Sequence, residues 1–335
     1  MSTLRESLIA ATKKPEVYRK ALADIPDEIV GMRGRIGGLF VYPWKGTHAV
    51  ALEEARLGSQ GIETVDGSVR DRMAMLVRRE AGTHKVLGEY DGERLSQKDT
   101  PHLAHIHMSV PYQGILQMSA PAIPQDMFAL KFSVHCLRPE GSDVRKILMS
   151  GKNPYVLEGE FLPQDHIILR RLRSMLSYFG EKIEDIGLFI PHAEFRRQSD
   201  TVSTEDAQTL LSDGSQLHIT NATSSRWDMR RFRPNIVLTD LPAWTEDLVG
   251  EIRIETDAGE VHVELAQSMP RCPVPDKHPD TGEVKGGPNK WLAQHHPRDA
   301  NSNITFGRGA HVLHSQEKPV IRKGDPFVIT RERSL

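Results

Sequence analysis

The chain has 335 residues, and its 43 basic residues nearly balance its 45 acidic ones. This length accommodates two domains, or one large domain with a smaller companion. The balanced charge argues against a nucleic-acid-binding protein, which usually has a strong basic excess. No apolar run approaches about 18 residues, and the charged N-terminus lacks the apolar stretch of a signal peptide. We therefore expect a cytoplasmic protein that does not partner with a membrane.

The first part of the chain has a helical pattern at residues 3–24, which Pro15 interrupts and Pro26 ends. From Gly37 onward the pattern is that of strands, beginning with residues 38–42. Glycines then separate short segments, as is typical of β structure with tight turns. The sequence therefore predicts a helical arm followed by a β-rich region.

A histidine-rich segment, His-Leu-Ala-His-Ile-His, follows at residues 102–107. On a strand, His105 and His107 would share one face, and His102 would lie on the other. Two histidines without a nearby group of carboxylates are a weak zinc signal. We interpret the segment as a polar strand face.

The clearest helix is predicted for residues 165–180. Its apolar residues recur at helical spacing, Asp165 can cap its N-terminus, and Gly180 can end it. A second, shorter helix is predicted from Glu205 to Leu211, behind a cap at Ser203 or Thr204.

The chain contains two cysteines, Cys136 and Cys272. This number disfavours a disulfide framework and cannot supply a four-cysteine iron–sulfur cluster. Reductive chemistry would therefore need electrons from another protein of the reductase, ferredoxin or cytochrome type. We interpret Cys136 as a small residue of the hydrophobic core.

Arg231 and Arg233 lie in a basic segment. Pro234 follows them, ends any helix there and has no N–H to donate. The residues that follow, 236–238, are Ile-Val-Leu and predict a short buried strand. Cations held stiffly at the mouth of a strand suit an anionic ligand.

A hairpin is predicted next, because apolar residues alternate over 252–254 and 261–265 around an Asp-Ala-Gly turn. Cys272 lies just past the second strand, with Arg271 before it and Pro273 after it. Neighbouring cations favour a thiolate. A thiolate beside an anion-binding rim would suit a metal held by an anionic cofactor.

Several motifs occur in order along the chain. They are Val41-Tyr42-Pro43-Trp44-Lys45-Gly46, Arg70-Asp71-Arg72, Leu95-Ser96-Gln97-Lys98-Asp99-Thr100-Pro101, Asp213-Gly214-Ser215, Arg233-Pro234-Asn235, Arg271-Cys272 and Lys323-Gly324-Asp325-Pro326. Together they resemble the molybdenum-cofactor sulfurase C-terminal (MOSC) domain family. Within it, they are most similar to the mitochondrial amidoxime-reducing component and its bacterial counterparts.

The resemblance implies an α+β, mainly β fold, with a MOSC β-barrel, an N-terminal β-rich MOSC-N domain and a few helices. It implies a helical arm at residues 1–34 and a β-rich N-terminal region with one amphipathic helix at 35–190. The MOSC β-barrel domain would occupy residues 191–335, and the cofactor would lie in the cleft between the two β regions.

The resemblance also implies a molybdenum cofactor, in which molybdenum is bound to molybdopterin. On the matching motif positions, Cys272 would be the metal ligand and the catalytic residue. Lys45 and Arg72 would help to hold the pterin phosphate. The full set of implied cofactor-binding residues is Lys45, Arg72, Asp213, Ser215, Arg233 and Asn235.

The implied function is reduction of a small N-hydroxylated or N-oxide compound, with electrons from a partner protein. His278 and His295, on the loops after Cys272, are candidate general acids. Two alternatives remain open: transfer of sulfur as a persulfide on Cys272, and a non-catalytic carrier of the cofactor or of a small anion.

Overall fold

A computed structural model describes residues 3–58, 61–78, 93–94, 100–121, 123, 129–137, 145–149, 155–181, 186–191, 208–223, 225–284, 286–313 and 318–334. Across these ranges, no helix is both long enough and apolar enough to cross a membrane. The helices are α1 (Leu4–Ala10), α2 (Pro15–Ala23), α3 (Ile167–Tyr178), α4 (Asp213–Thr223), α5 (Thr245–Leu248) and α6 (Asn289–His295). Short 3₁₀ turns lie at Pro101–His105, Val134–Leu137, Met229–Phe232 and Val274–Asp276.

Strands make up most of the regular structure. In chain order they are β1 (Arg33–Val41), β2 (Trp44–Lys45), β3 (Val50–Leu52), β4 (Glu54–Gly58), β5 (Gly61–Glu63), β6 (Ala74–Arg78), β7 (Glu93–Arg94), β8 (His107–Tyr112), β9 (Ile115–Ser119), β10 (Leu130–Ser133), β11 (Arg145–Met149), β12 (Tyr155–Phe161), β13 (Ile186–Pro191), β14 (Gln208–Ser212), β15 (Ile236–Thr239), β16 (Val249–Thr256), β17 (Gly259–Pro270), β18 (Thr305–Val312), β19 (Val320–Arg322) and β20 (Pro326–Glu332).

Seven strands close into a β-barrel in the order β15-β14-β18-β17-β16-β20-β1, and β1 pairs with β15 to complete the ring. The predicted hairpin forms β16 and β17, and the alternating residues Ile252, Ile254 and Val263 are buried. Alternation places every second side chain on one face of a strand, so these residues fill the core. The predicted α+β, mainly β fold with a β-barrel is confirmed.

A second sheet has the order β13-β12-β11-β7-β6-β2, and β13 also pairs with β6. Helix α3 contacts β13. The apolar stripe of α3 is buried, as its helical spacing predicts, and Gly180 follows the helix in a left-handed conformation with φ 80°. Two further sheets have three strands each, in the orders β10-β9-β8 and β19-β4-β5.

Strand β1, near the N-terminus, pairs both with β20, near the C-terminus, and with β15. Gly34 of β1 is in register with Phe327 of β20, and Leu39 of β1 is in register with Ile236 of β15. Residues 33–41 therefore complete the barrel of the C-terminal half. The domain boundaries after residues 34 and 190 stay predictions from the sequence.

The N-terminal arm forms two helices, as predicted, and Pro15 begins the second of them. Tyr18 of α2 is fully buried and donates a hydrogen bond of 2.8 Å to Oδ2 of Asp247. Nε2 of His296 lies 2.9 Å from the same oxygen, and the Tyr18 ring meets Trp244 edge-on. A buried polar contact thus fastens the arm to the barrel domain.

Glu246 is the second buried carboxylate of this region. Its Oε2 accepts a 2.8 Å hydrogen bond from Ser215, but burial and the charge of Asp247 raise the pKa of Glu246 to about 8. The folded protein therefore binds a proton that the unfolded chain releases between about pH 4.5 and pH 8. This contribution to stability is complete below the unfolded pKa and is lost as the pH rises toward 8.

We expect Glu246→Gln to become more stable relative to wild type, by on the order of 3 kcal/mol, between about pH 5 and pH 8. Urea unfolding of both proteins at the two pH values measures this difference. Glu260→Gln, an exposed change on the β16–β17 hairpin, is the control. An equal stability difference at both pH values would mean that Glu246 is ionised in the folded protein.

The structure corrects two predicted helical features. Helix α3 begins at Ile167, and its cap is His166, whose Nδ1 accepts from the N–H of Ile168 at 3.3 Å, rather than Asp165. The short helix predicted at 205–211 is wrong over the part that the structure describes, because residues 208–212 form β14 between β15 and β18. A helix begins only at Asp213, and the predicted caps at 203 and 204 lie outside the described residues.

Two further predictions are corrected. The histidine-rich segment is not one strand, since residues 101–105 form a 3₁₀ turn and only His107 begins a strand. His102 instead lies 2.7 Å from a carboxylate oxygen of Glu181. Cys136 is exposed on a 3₁₀ turn, so it is not a core residue. Residues 95–99, part of the motif ending at Pro101, lie outside the described residues.

Candidate functional site

Arg233 directly follows the 3₁₀ turn at 229–232 and lies three residues before the start of β15. It has a left-handed backbone with φ 52°, and Pro234 follows it. Its Nη1 donates a 2.7 Å hydrogen bond to the carbonyl of Thr47, and its guanidinium lies 4.0 Å from the centre of the Tyr42 ring. Its Nη2 is buried and finds no hydrogen-bond partner among the described residues. A buried guanidinium nitrogen of this kind suits an anionic ligand.

Asp71 links the Arg-Asp-Arg motif to the Arg-Pro-Asn motif. Its Oδ1 accepts from the amide of Tyr42 at 2.7 Å and from Nδ2 of Asn235 at 3.1 Å. Its Oδ2 lies 3.3 Å from Nε of Arg72, which also has a left-handed backbone, with φ 53°. One buried carboxylate therefore holds two of the predicted site residues in place.

Arg271 and Cys272 follow the end of β17. Arg271 donates through Nε to the carbonyl of Phe306 and through Nη1 to that of Phe232, both at 2.8 Å. Gly307 has φ 75°, and a Cβ there would lie 2.7 Å from the carbonyl oxygen of Leu210 and 3.2 Å from Nη2 of Arg271, so this position requires a glycine. Cys272 is exposed beside it.

The loop after Cys272 is tied to the start of α6. Nδ2 of Asn289 donates to the carbonyl of Cys272 at 2.9 Å and to Oδ2 of Asp276 at 3.0 Å. Gly287 packs directly on Asp276, where a Cβ would lie 1.9 Å from a carboxylate oxygen. These contacts fix the backbone conformation of the loop that follows Cys272.

Three guanidinium groups share this site. The positive charge of Arg72 disfavours the charged forms of Arg233 and Arg271, and Cys272 lies close to both of these arginines. Burial lowers the pKa of Arg233, and it lowers that of Arg271 to about 10. Asp71 is the carboxylate described beside them, so the site carries a positive excess that an anion would offset.

A small cleft, open to solvent, adjoins Arg233, and its volume of about 10 Å³ holds roughly one water-sized sphere. Val274, two residues after Cys272, lines it, as do cationic side chains from the 3₁₀ turn at 229–232 and the loop that follows Cys272. The cleft is lined by Tyr42, Thr47, His48, Ala49, Arg230, Arg231, Arg233, Val274, Lys277 and Pro279.

His48, His107 and Asp280 bring three potential metal-ligand atoms within 4.8 Å of one another. The guanidinium of Arg230 already lies there, with Nη1 2.8 Å from Asp280 and within hydrogen-bond distance of His48. The two imidazole rings stack nearly parallel, at 4.1 Å and 14°, so their nitrogens do not converge on one point. A resident cationic side chain and stacked rings disfavour a metal at this position.

The structure brings four of the seven predicted cofactor-binding and metal-binding residues together. Arg72, Arg233, Asn235 and Cys272 form the cluster above. Lys45, on β2, is in register with Met75, and the backbone of Arg72 bonds that of Tyr42, so the segments carrying the two predicted cations run side by side.

Asp213 and Ser215 lie elsewhere. Strands β14 and β15 are parallel with Ser212 opposite Leu238, so Asp213 follows one end of the pair and Arg233 precedes the other. That places them roughly 15–20 Å apart along the strand direction. Ser215 is buried, donates to Glu246 and accepts from the amide of Trp244. Burial raises the pKa of Asp213. Their assignment to the cofactor stays a prediction from the resemblance.

Neither candidate acid, His278 or His295, is among the residues that line the described cleft, although His278 lies between the lining residues Lys277 and Pro279. Nδ1 of His278 accepts from the amide of Asp280 at 3.2 Å, and the ring of His295 packs on Trp291 at 4.9 Å. Sequence reasoning missed His48 and the linking role of Asp71. The position of Asp71 inside the Arg-Asp-Arg motif could have indicated its role. His48 lies outside every recognised motif, so the sequence around it gives no such indication.

Comparison with known proteins agrees with this architecture. The family model of the MOSC N-terminal beta barrel domain matches residues 33–153, and that of the MOSC domain matches residues 198–328. Mitochondrial amidoxime reducing component 2 of Macaca fascicularis is 24% identical over 258 residues, covering 75% of this chain and 69% of that protein. Mitochondrial amidoxime-reducing component 1 of Homo sapiens is 24% identical over 326 residues, covering 93% and 88%. The same component of Mus musculus is 23% identical over 323 residues, covering 88% and 82%. The chain therefore belongs to the MOSC domain family, with an N-terminal MOSC domain followed by a MOSC domain.

Proposed function

We propose that this protein is a molybdenum-cofactor-dependent reductase of N-hydroxylated or N-oxide compounds that receives electrons from a separate electron-transfer protein. The observation that carries the proposal is the exposed Cys272 just past the end of β17, beside the three partly buried guanidinium groups of Arg72, Arg233 and Arg271. The cytoplasmic location expected from the sequence is part of the proposal.

The side chains fit such a cofactor in charge and in ligand type. A pterin phosphate is a dianion, and arginine binds phosphate through paired, directed N–H groups. The unpartnered Nη2 of Arg233 is one such group, and Arg72 and Lys45 lie on the adjoining segments. A cysteine thiolate is a soft ligand that suits a redox-active metal. Cys272 would hold the metal, and the arginines and the lysine would hold the phosphate.

Bound molybdenum would supply the two-electron exchange that removal of an oxygen atom requires. The protein's own part is to bind and orient. Arg271, bonded to two backbone carbonyls, fixes the strand end that carries Cys272. The basic lining of the adjoining cleft, which is open to solvent, would attract the polar N–O group. The relatives named for amidoxime reduction favour this substrate class.

The first test is chemical analysis of the freshly purified protein. We expect near-stoichiometric molybdenum and the fluorescence of oxidised pterin. We also expect reduction of an aryl amidoxime when a reduced viologen dye supplies the electrons. NADH with the purified protein alone should give no turnover, because the sequence contains no flavin, dinucleotide or iron–sulfur motif. Protein without molybdenum and pterin, or steady turnover with NADH alone, would contradict the proposal.

A further inference from the structure

Asn289 is the buried first residue of α6, and its side chain contacts the backbone of the proposed metal ligand. Its Nδ2 lies 2.9 Å from the carbonyl oxygen of Cys272 and 3.0 Å from Oδ2 of Asp276. A carbonyl oxygen can only accept a hydrogen bond, so the amide nitrogen, and not the amide oxygen, must face Cys272. The two hydrogens of Nδ2 therefore serve Cys272 and Asp276 together.

Asp276 holds the Asn289 amide in this orientation. The backbone N–H of Asn289 donates to Oδ1 of Asp276 at 3.1 Å, so the two residues are joined by a pair of hydrogen bonds. Gly287 runs so close to them that a Cβ there would lie 1.9 Å from Oδ1 of Asp276. The amide consequently has little freedom to turn away from the cysteine.

Helix α6 gives Asn289 a rigid support. Leu292, one turn further along the helix, is buried in the hydrophobic core. At the other end of the helix, the amide of Lys14 in the N-terminal arm donates to the carbonyl of Gln294 at 2.7 Å. Because a helix of two turns moves as one body, these contacts also fix the position of Asn289.

One atom of Asn289 is left out of these bonds. Its Oδ1 is buried and has no hydrogen-bond partner among the described residues. An unpaired buried acceptor is unfavourable. Donation to two acceptors at once calls for an amide nitrogen, and the unpaired oxygen comes with it. The contact with Cys272 is therefore kept at a cost in stability, which favours a role in function.

We propose that Asn289 is a positioning residue for Cys272 that orients the sulfur by holding the cysteine's carbonyl group. This inference rests on the proposed function. Cys272 is exposed, so its side chain depends on its own backbone for orientation. A fixed carbonyl fixes the ψ angle of Cys272, and the rotamers open to a side chain depend on φ and ψ. Groups that orient a metal ligand in this way tune the metal it binds.

The test compares Asn289→Ala with Asn303→Ala. Asn303 makes the same pair of bonds to a nearby aspartate, since its N–H and its Nδ2 donate to the two carboxylate oxygens of Asp299 at 2.8 and 2.7 Å. With a reduced viologen dye and an aryl amidoxime, kcat should fall about tenfold or more in Asn289→Ala. The KM should match wild type, because Asn289 does not line the described cleft. Asn303→Ala should match wild type in both constants.

Two further readouts separate positioning from a general loss of stability. The Mo(V) resonance should shift in Asn289→Ala and stay unchanged in Asn303→Ala. Iodoacetamide should alkylate Cys272 about tenfold faster in Asn289→Ala than in wild type, because a misdirected sulfur is held less well by the metal. Cys136 of the same chain is also exposed, so it is the internal reference and should react at its wild-type rate. Peptide mass spectrometry distinguishes the two cysteines.

An exchange of the two partners keeps the loop tied but removes the contact with the cysteine. In the double variant Asp276→Asn with Asn289→Asp, the two side chains can bond each other again. Residue 289 then offers only carboxylate oxygens to the Cys272 carbonyl, and these cannot donate. The temperature of thermal unfolding should return toward wild type, whereas kcat and the Mo(V) resonance should stay as in Asn289→Ala.

Wild-type kcat and resonance in the double variant would mean that Asn289 only ties the loop. That result, or a folded Asn289→Ala with wild-type kcat and resonance, would overturn this inference and leave the proposed function standing. A wild-type protein that holds no molybdenum and reduces no N-hydroxylated compound would overturn both.

Discussion

Cys272→Ser should abolish the reduction of N-hydroxylated compounds and leave the pterin in place. The phosphate contacts we assign to Arg72, Arg233 and Lys45 do not involve the sulfur, so the variant should keep its oxidised-pterin fluorescence. Serine offers a harder oxygen ligand to the metal. Changes to groups that only support a metal ligand cost about 10–100-fold in activity, so loss of the ligand itself should exceed about 100-fold. The Mo(V) resonance of the variant should also shift.

Cys136→Ser is a suitable control, because both cysteines are exposed and the substitution is the same. It should leave activity and pterin content unchanged. The alternatives give different outcomes. Sulfur transfer requires labile sulfur on Cys272 of the wild type, visible by mass spectrometry, and activity without molybdenum. A carrier would show no turnover to lose. Full reductase activity in Cys272→Ser would refute the central assignment.

Arg233→Ala should lower the pterin content of the purified protein. A charge-assisted hydrogen bond contributes about 1.5–3 kcal/mol, which corresponds to roughly one to two decades in affinity. The effect should be large here because Nη2 of Arg233 is buried and already lacks a partner among the described residues. Lys45→Ala and Arg72→Ala should act in the same direction. Pterin fluorescence and the molybdenum-to-protein ratio measure all three.

Arg322→Ala is the matched control for these variants, since Arg322 is a surface arginine whose described partners are the exposed residues Glu54 and Asp257. Arg233→Ala also removes the bond to Thr47 and the contact with Tyr42, so thermal unfolding of each variant is needed to show that the fold is intact. Wild-type pterin occupancy in a folded Arg233→Ala would rule out the phosphate-binding assignment.

Elements with a long and regular hydrophobic pattern were predictable from the sequence. Helix α3 and the β16–β17 hairpin both have apolar residues at the spacing of their class, and each buries that face. The segment at 208–212 was misassigned because it is short and its apolar run fits either class. Its position between β15 and β18 makes it a strand, and pairing with distant strands is not visible in the local sequence.

Some residues of the candidate site were likewise predictable from the sequence, and others were not. Motifs located Arg72, Arg233, Asn235 and Cys272, because each lies in a short, ordered pattern. The pair of His48 and Asp280 was not predictable, since 232 residues separate its members and neither requires the other in sequence. The exposure of Cys136 was missed for a related reason. Its burial depends on how the 3₁₀ turn is oriented, and no periodic pattern determines that orientation.

Closure of the barrel by β1 has a consequence for synthesis of the chain. Arg33 pairs with Val328, which is 328 − 33 = 295 residues later. At roughly 5–20 residues per second, β1 would leave the ribosome about 15–60 s before that partner exists. An unpaired strand edge invites association with other chains, and charged side chains discourage it. Arg33 and Arg35 lie at the start of β1. Their charges would discourage β1 from pairing with other chains until β20 has been synthesised.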